Sequence, residues 1–335
     1  MTSPPDSTQH LTALAAPEVL PDWRVVIAVD AAETNGILDV LPGTATQIAE
    51  RTGTDPDGVT AVLTVLGSHS MVVLGDDAGD RTDGIWSAGR AFPTRLERAA
   101  LAQHATWIRR WADLVPERVR DRQATSSTAP ERPSPARGLA LLESAVRPYV
   151  VPVVDACLDG ASVPPFPRRV LDLGGGHGAY AVEFARRGCE TVLQDLPGVV
   201  DALRAAGVAR RLEAAGVQVI ARDAFDGIGA VDNGGPFDLV LCGTLTNIFS
   251  LGEVRDLLSR IRGHLAPEGQ LAVATWMRDR GPVGAAFGLQ MLVATPGGDA
   301  HSWPEYRALC DQTGYSDCRL GEVGHPPMGV ILARR

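Results

Sequence analysis

The chain has 335 residues, 45% hydrophobic and 21% charged, with a formal net charge of -9. That is length for two domains with real cores, and an acidic balance that argues against nucleic acid or an anionic membrane surface as the main partner. All 31 basic side chains are arginine, which excludes Schiff-base catalysis, pyridoxal attachment and a P-loop lysine.

The opening MTSPPDSTQH lacks a basic segment followed by an apolar core, and no apolar run approaches the roughly 18 to 20 residues of a membrane helix. A cytoplasmic address is expected. Cys157, Cys189, Cys242, Cys310 and Cys318 are scattered and never in C-x-x-C spacing, so buried reduced thiols are expected rather than disulfides or zinc.

In chain order, WRVVIAVDAAETNGILDVL (Trp23 to Leu41) has apolar residues at helical spacing, and TATQIAERTG and DPDGVTAVLTVLGSHS predict two short helices. MVVLGDDAGDRTDGIWSA predicts two short strands around a Gly and Asp turn. Helix, turn, helix and hairpin together predict a winged helix. Its second helix, Asp55 to Ser70, carries two aspartates and no arginine, the wrong chemistry for reading a DNA groove, so packing between subunits is the expected role. A helix over Leu96 to Leu114 brings His104, Trp107 and Trp111 near one face, as core or dimer packing or as a pocket wall. RDRQATSSTAPERPSPARG, from Arg120 to Gly138, reads as a linker.

From Arg169 onward RRVLDL, ETVLQD, VQVIA, FDLVLCG and QLAVATW alternate with amphipathic stretches, which predicts a mostly parallel sheet covered on both faces. DCRLGEV and GVILARR, separated by GHPPM, predict a terminal antiparallel pair. The expected fold class is α/β, a doubly wound Rossmann-like sheet behind a mainly helical N-terminal domain. Boundaries fall at 1–119, 120–160 for linker and connecting helix, and 161–335.

VLDLGGGHGAY (170–180) places an acid at a strand end ahead of a glycine turn and a helix. Gly174, Gly176 and Ala179 satisfy the dinucleotide fingerprint G-x-G-x-x-A. Asp172, Gly174, Gly176 and Gly178 also give D-x-G-x-G-x-G, and an acid there repels a pyrophosphate but welcomes the amino group of a sulfonium ligand. S-adenosylmethionine fits. Asp195, ending the second strand, suits two ribose hydroxyls. After the third strand, Asp223 suits the adenine amine, the backbone near Ala224 a ring nitrogen, and Phe225 the face of the base. His177, inside the glycine turn, borders that cofactor in a structural role.

On these motifs residues 169–335 resemble the class I S-adenosylmethionine-dependent methyltransferases. The whole chain resembles bacterial small-molecule O-methyltransferases that carry an N-terminal winged-helix dimerisation domain. The resemblance implies seven strands, an intertwined homodimer, a small-molecule acceptor bound between domains, and cofactor contacts that include Leu196 of D-L-P and Gly243 at the fourth strand's end.

One departure stands out. Where the family has V-L-H-D-W, this chain has LCGTLTNIF, putting Thr246 in place of the histidine base, Asn247 in place of the acid and Ile248 in place of the tryptophan. A threonine hydroxyl cannot take a proton near neutral pH. Three accounts remain open: His301 in GGDAHSWPEY is the base, or merely a surface histidine; the acceptor is acidic enough to need none; or the cofactor is kept for decarboxylation, hydroxylation or pericyclic chemistry. Thr244, Trp276 and Met277, at strand ends, and Met291, on the following helix, are candidate pocket residues, with Asn247 bonding an acceptor oxygen and Trp276 stacking on a planar ring. His10, His69, His264 and His325 read as surface residues, and no metal is expected.

Overall fold

A computed structural model describes residues 23–75, 84–125, 135–159, 168–229 and 236–335. Internal contacts divide the chain after Ala112 into two compact units.

In the first unit, α1 (Trp23–Thr34) is followed by a 3-10 turn over Ile37–Val40. The single helix expected over Trp23 to Leu41 is therefore two pieces, broken where Gly36 takes a left-handed φ of 69°. Helix α2 (Ala45–Thr52) starts on a capping box between Thr44 and Gln47, and α3 (Pro56–Ser68) starts on the Asp55 carboxylate with proline in its first turn. Their apolar faces meet around Val26, Val29, Ile48, Leu63 and Leu66. Strands β1 (Val72–Leu74) and β2 (Trp86–Ala88) pair antiparallel. The turn expected at the hairpin tip lies partly outside the described residues.

Helix α4 (Arg95–Arg120) is longer than its sequence pattern suggested. Pro116 sits inside it and has no N–H for the Ala112 carbonyl. The boundary between the units falls at that carbonyl.

The second unit continues with α5 (Pro135–Val146) and α6 (Val150–Asp159), and α8 (Pro197–Ala205) and α9 (Val208–Ala214) lie between its second and third strands. A seven-stranded sheet follows in the order β5-β4-β3-β6-β7-β9-β8. Its strands are β3 (Arg169–Leu173), β4 (Glu190–Asp195), β5 (Gln218–Ala221), β6 (Phe237–Gly243), β7 (Leu265–Thr275), β8 (Ser316–Val323) and β9 (Met328–Arg334). The first five are parallel; β9 pairs antiparallel with β8, as the two terminal runs suggested, and also with β7.

Side-chain alternation along the strands builds two cores. Leu171, Val240, Cys242 and Val273 meet α10 (Leu251–His264) and α12 (Trp303–Gln312); Val170, Leu239, Leu241 and Ala272 meet α6 and α7 (Ala179–Arg186). Strand order reverses between β3 and β6, so their carboxyl ends open the crevice in which a doubly wound sheet binds ligands. Among the described residues no helix is long and apolar enough to cross a membrane.

Candidate functional site

Between β3 and α7, Gly174, Gly176 and Gly178 take left-handed φ values of 66°, 47° and 72°, a conformation that costs any L side chain. The chain itself fills much of the space around them. A Cβ at Gly174 would stand 2.5 Å from Leu245 Cδ1, and one at Gly175 would stand 2.7 Å from Asp172 Oδ2. Gly175 is thus required by the Asp172 carboxylate, while Gly174 and Gly178 are hemmed in by Leu245 and Leu212.

Asp172 has no exposed surface. Its Oδ2 accepts the Ala181 N–H at 3.1 Å, while Oδ1 is buried without a partner. Burial pushes the carboxyl up to about 7, with the Ala181 hydrogen bond working against the shift and the charge of Asp195 adding to it. A buried carboxylate oxygen with nothing to bind fits a cation. A pyrophosphate there would face Asp172 and Asp195 together.

Asp195 accepts the Gly176 N–H at 2.8 Å on Oδ2 and the Leu196 N–H at 2.7 Å on Oδ1, leaving each oxygen a second lone pair. Burial raises its pKa against those two bonds. Leu196 is 48% exposed beside it. On the loop after β5, Asp223 Oδ1 accepts the Phe225 N–H at 2.8 Å, and the Phe225 ring packs edge-on against Phe249 at 5.3 Å. His177 turns its Nδ1 to the Ala179 N–H at the start of α7, and burial lowers it to about 4. A Cβ at Gly243 would meet the Tyr180 ring at 2.7 Å.

At the acceptor side, Thr244 follows β6 with φ 53°, unusual for a β-branched residue. Thr246 is fully buried, its hydroxyl 2.6 Å from that of Tyr306. Asn247 is also buried; its Nδ2 donates to Met291 Sδ at 3.1 Å and its Oδ1 has no partner. His301 is not a surface residue, being 2% exposed. Its Nε2 lies 2.9 Å from the Phe249 carbonyl. A carbonyl can only accept, so Nε2 carries the proton and the buried, unpartnered Nδ1 holds the lone pair.

Two pocket expectations need correction. Met277 is core: it has no exposed surface, and a Cβ on Gly329 would collide with its methyl group. Trp276 does not offer a free face, since Tyr149 and Phe287 pack on it at 5.7 and 5.1 Å in edge geometries, and its Nε1 is buried without a partner. Met291 packs against Asn247 as described. His104 and Trp107 lie half-buried on α4 in the first unit, where burial lowers His104 to about 4. His69, His264 and His325 are exposed, and His10 lies outside the described residues.

Sequence reasoning missed two residues. Gln194, fully buried in β4, donates to the carbonyls of Arg222 at 3.2 Å and Gly227 at 2.8 Å and accepts the Gly229 N–H, pinning the Asp223 loop. The signal available was an amide inside an apolar strand. Tyr306 left no such signal, because its partner lies 60 residues away.

The fold and this crevice define a class I methyltransferase, an enzyme of the S-adenosylmethionine-dependent kind. Residues 153–316 match the family model for the O-methyltransferase domain. The chain is 25% identical over 312 residues to 3-amino-4-hydroxybenzoate 4-O-methyltransferase of Streptomyces cremeus, covering 88% of this chain and 82% of that protein. The fold resembles that of human N-acetylserotonin methyltransferase, solved with S-adenosylmethionine (TM-score 0.73, 21% identity, 100% and 99% of the two chains). It also resembles an O-methyltransferase family protein of Burkholderia thailandensis (TM-score 0.72, 19% identity, 95% and 96%).

Proposed function

We propose that the protein is an S-adenosylmethionine-dependent O-methyltransferase of the bacterial secondary-metabolite type, acting on a small phenolic or enolic acceptor without a base at position 246. The observation that carries the reading is the unpartnered, buried Asp172 Oδ1 at the carboxyl end of β3. The cofactor, when bound, supplies an electrophilic methyl group on a sulfonium sulfur. Asp172 holds its ammonium, Asp195 its ribose hydroxyls, Asp223 and the backbone at Ala224 its adenine edge, with Leu196 and Phe225 against the base and the backbone of Gly174, Gly176, Gly178 and Gly243 alongside.

Thr246 is spent on Tyr306, so it neither takes a proton nor reaches for one. An acidic acceptor arrives largely ionised and needs only orientation. His301, with its Nδ1 lone pair free, is the candidate proton acceptor for less acidic hydroxyls. The Streptomyces relative, named for methylating a phenolic oxygen, supports this acceptor class. A cytoplasmic homodimer, with the first unit as a winged-helix dimerisation module, belongs to the same reading.

Incubation with methyl-labelled cofactor and a panel of phenols and enols tests it. Labelled methyl ether together with S-adenosylhomocysteine is the expected product. Conversion of an acceptor without label transfer would favour a cofactor-retaining reaction of another type instead.

A further inference from the structure

Two of the unpartnered polar atoms belong to residues that pack on one stretch of α11 (Gly281–Ala294). Trp276 packs on Phe287 with ring centroids 5.1 Å apart, and Asn247 bonds Met291 at 3.1 Å. Phe287 and Met291 are four residues apart, neighbours on one helical face about one turn from each other. Trp276 and Asn247 are 5% and 3% exposed, so both orphan atoms are well inside the protein.

The two atoms have opposite hydrogen-bonding sense. Indole Nε1–H can only donate and the Asn247 carbonyl Oδ1 can only accept. Neither finds a partner among the described residues, although buried polar groups are almost always paired. The Asn247 amide is oriented by its own contact, because Nδ2 is committed to the Met291 thioether and Oδ1 points elsewhere. Tyr149 and Phe287 fix the indole in the same way.

Resting on the methyl-transfer reading above, we infer that Asn247 Oδ1 and Trp276 Nε1–H are specificity-determining contacts for an acceptor bearing a hydroxyl next to an oxygen that accepts a hydrogen bond, such as an ortho-hydroxy acid or ortho-hydroxy ketone. Asn247 takes the hydrogen bond of the hydroxyl, and Trp276 donates to the neighbouring oxygen; such a hydroxyl binds protonated and belongs with the less acidic acceptors whose proton the His301 Nδ1 lone pair receives. A lone phenol satisfies only the first contact and a lone carboxylate only the second. Each leaves one buried group of the protein unpaired, the circumstance in which sites discriminate most sharply between analogues.

Titration calorimetry in the presence of S-adenosylhomocysteine tests this with salicylate, phenol and benzoate as probes. Salicylate is expected to bind at least about tenfold more tightly than either single-group compound. Trp276→Phe keeps an aromatic ring between Tyr149 and Phe287 while removing the donor and part of the indole's bulk, so salicylate affinity falls about tenfold while phenol affinity, which does not use the donor, holds within about twofold. Asn247→Leu weakens salicylate and phenol but not benzoate, and Asn247→Asp, which keeps an acceptor oxygen, restores part of the loss. Equal affinities for the three probes on the unaltered protein, or salicylate binding untouched by Trp276→Phe, would overturn the assignment. The probe series on the unaltered protein stands even if a variant folds poorly. Binding in this pattern with no methylated product would leave the contacts in place and count against methyl transfer; methylation without the pattern would do the reverse.

Discussion

The hydroxyls of Thr246 and Tyr306 lie 2.6 Å apart in a pair with almost no exposed surface. In the proposed function, the residue that the family resemblance sets in place of a base is thereby tied to α12 and takes no part in the chemistry. Removing either partner leaves a buried hydroxyl unsatisfied, at about 1 to 3 kcal/mol. Urea denaturation should show that loss for Thr246→Val and for Tyr306→Phe, and a double variant costing clearly less than their sum. Additive losses would mean that the hydroxyls do not interact.

Returning a histidine to this position should not raise activity. Thr246→His must fit an imidazole where no surface is exposed and Tyr306 closes the space, so overpacking of about 1 to 3 kcal/mol is expected, with a lowered melting temperature and unchanged or lower kcat. A faster enzyme would place position 246 back beside the acceptor.

His301→Gln keeps a donor for the Phe249 carbonyl and deletes the Nδ1 lone pair. If that lone pair receives the proton, kcat should fall about a hundredfold for weakly acidic phenols and stay within about twofold for phenols ionised at the assay pH. A uniform fall across the acidity series would make His301 a packing residue only.

Gly175→Ala brings a methyl group into the Asp172 carboxylate at 2.7 Å and into Leu193 Cγ at 2.8 Å. Cofactor affinity should drop by more than tenfold, with stability lowered by about 1 to 3 kcal/mol. Gln194→Leu releases the loop that carries Asp223, and its effect should appear on adenosine binding as well as on S-adenosylhomocysteine, because in the proposed binding mode that loop holds the base rather than the amino acid. Adenosine affinity unchanged by Gln194→Leu would detach that loop from the cofactor.

Much of this was legible along the chain. Most of the seven strands announce themselves as apolar runs bounded by turn residues, and the strand-end acids Asp172 and Asp195 sit where a doubly wound sheet must open. What escaped lies across the sequence. The break in the first helix depends on a single left-handed glycine, Gly36, inside an unbroken apolar rhythm. Tyr306 and Gln194 matter through partners 60 and about 30 residues away. The sequence suggested an open face for Trp276, yet packing by Tyr149 and Phe287 covers it and makes the indole N–H its useful end.

The pH dependence of cofactor affinity tests the central claim most directly. Asp172 has a folded-state pKa of about 7, above the ordinary 3.8, chiefly through burial. Its contribution to apoprotein stability is therefore full below the ordinary value and lost as pH rises through about 7, while its grip on an ammonium follows the opposite course. S-adenosylhomocysteine affinity by calorimetry should weaken about tenfold from pH 8 to pH 6, Asp172→Asn should bind weakly and lose that dependence, and 5′-methylthioadenosine, which lacks the ammonium, should show none. Equal binding of S-adenosylhomocysteine by both proteins across this range, or preferential binding of NAD, would contradict the account.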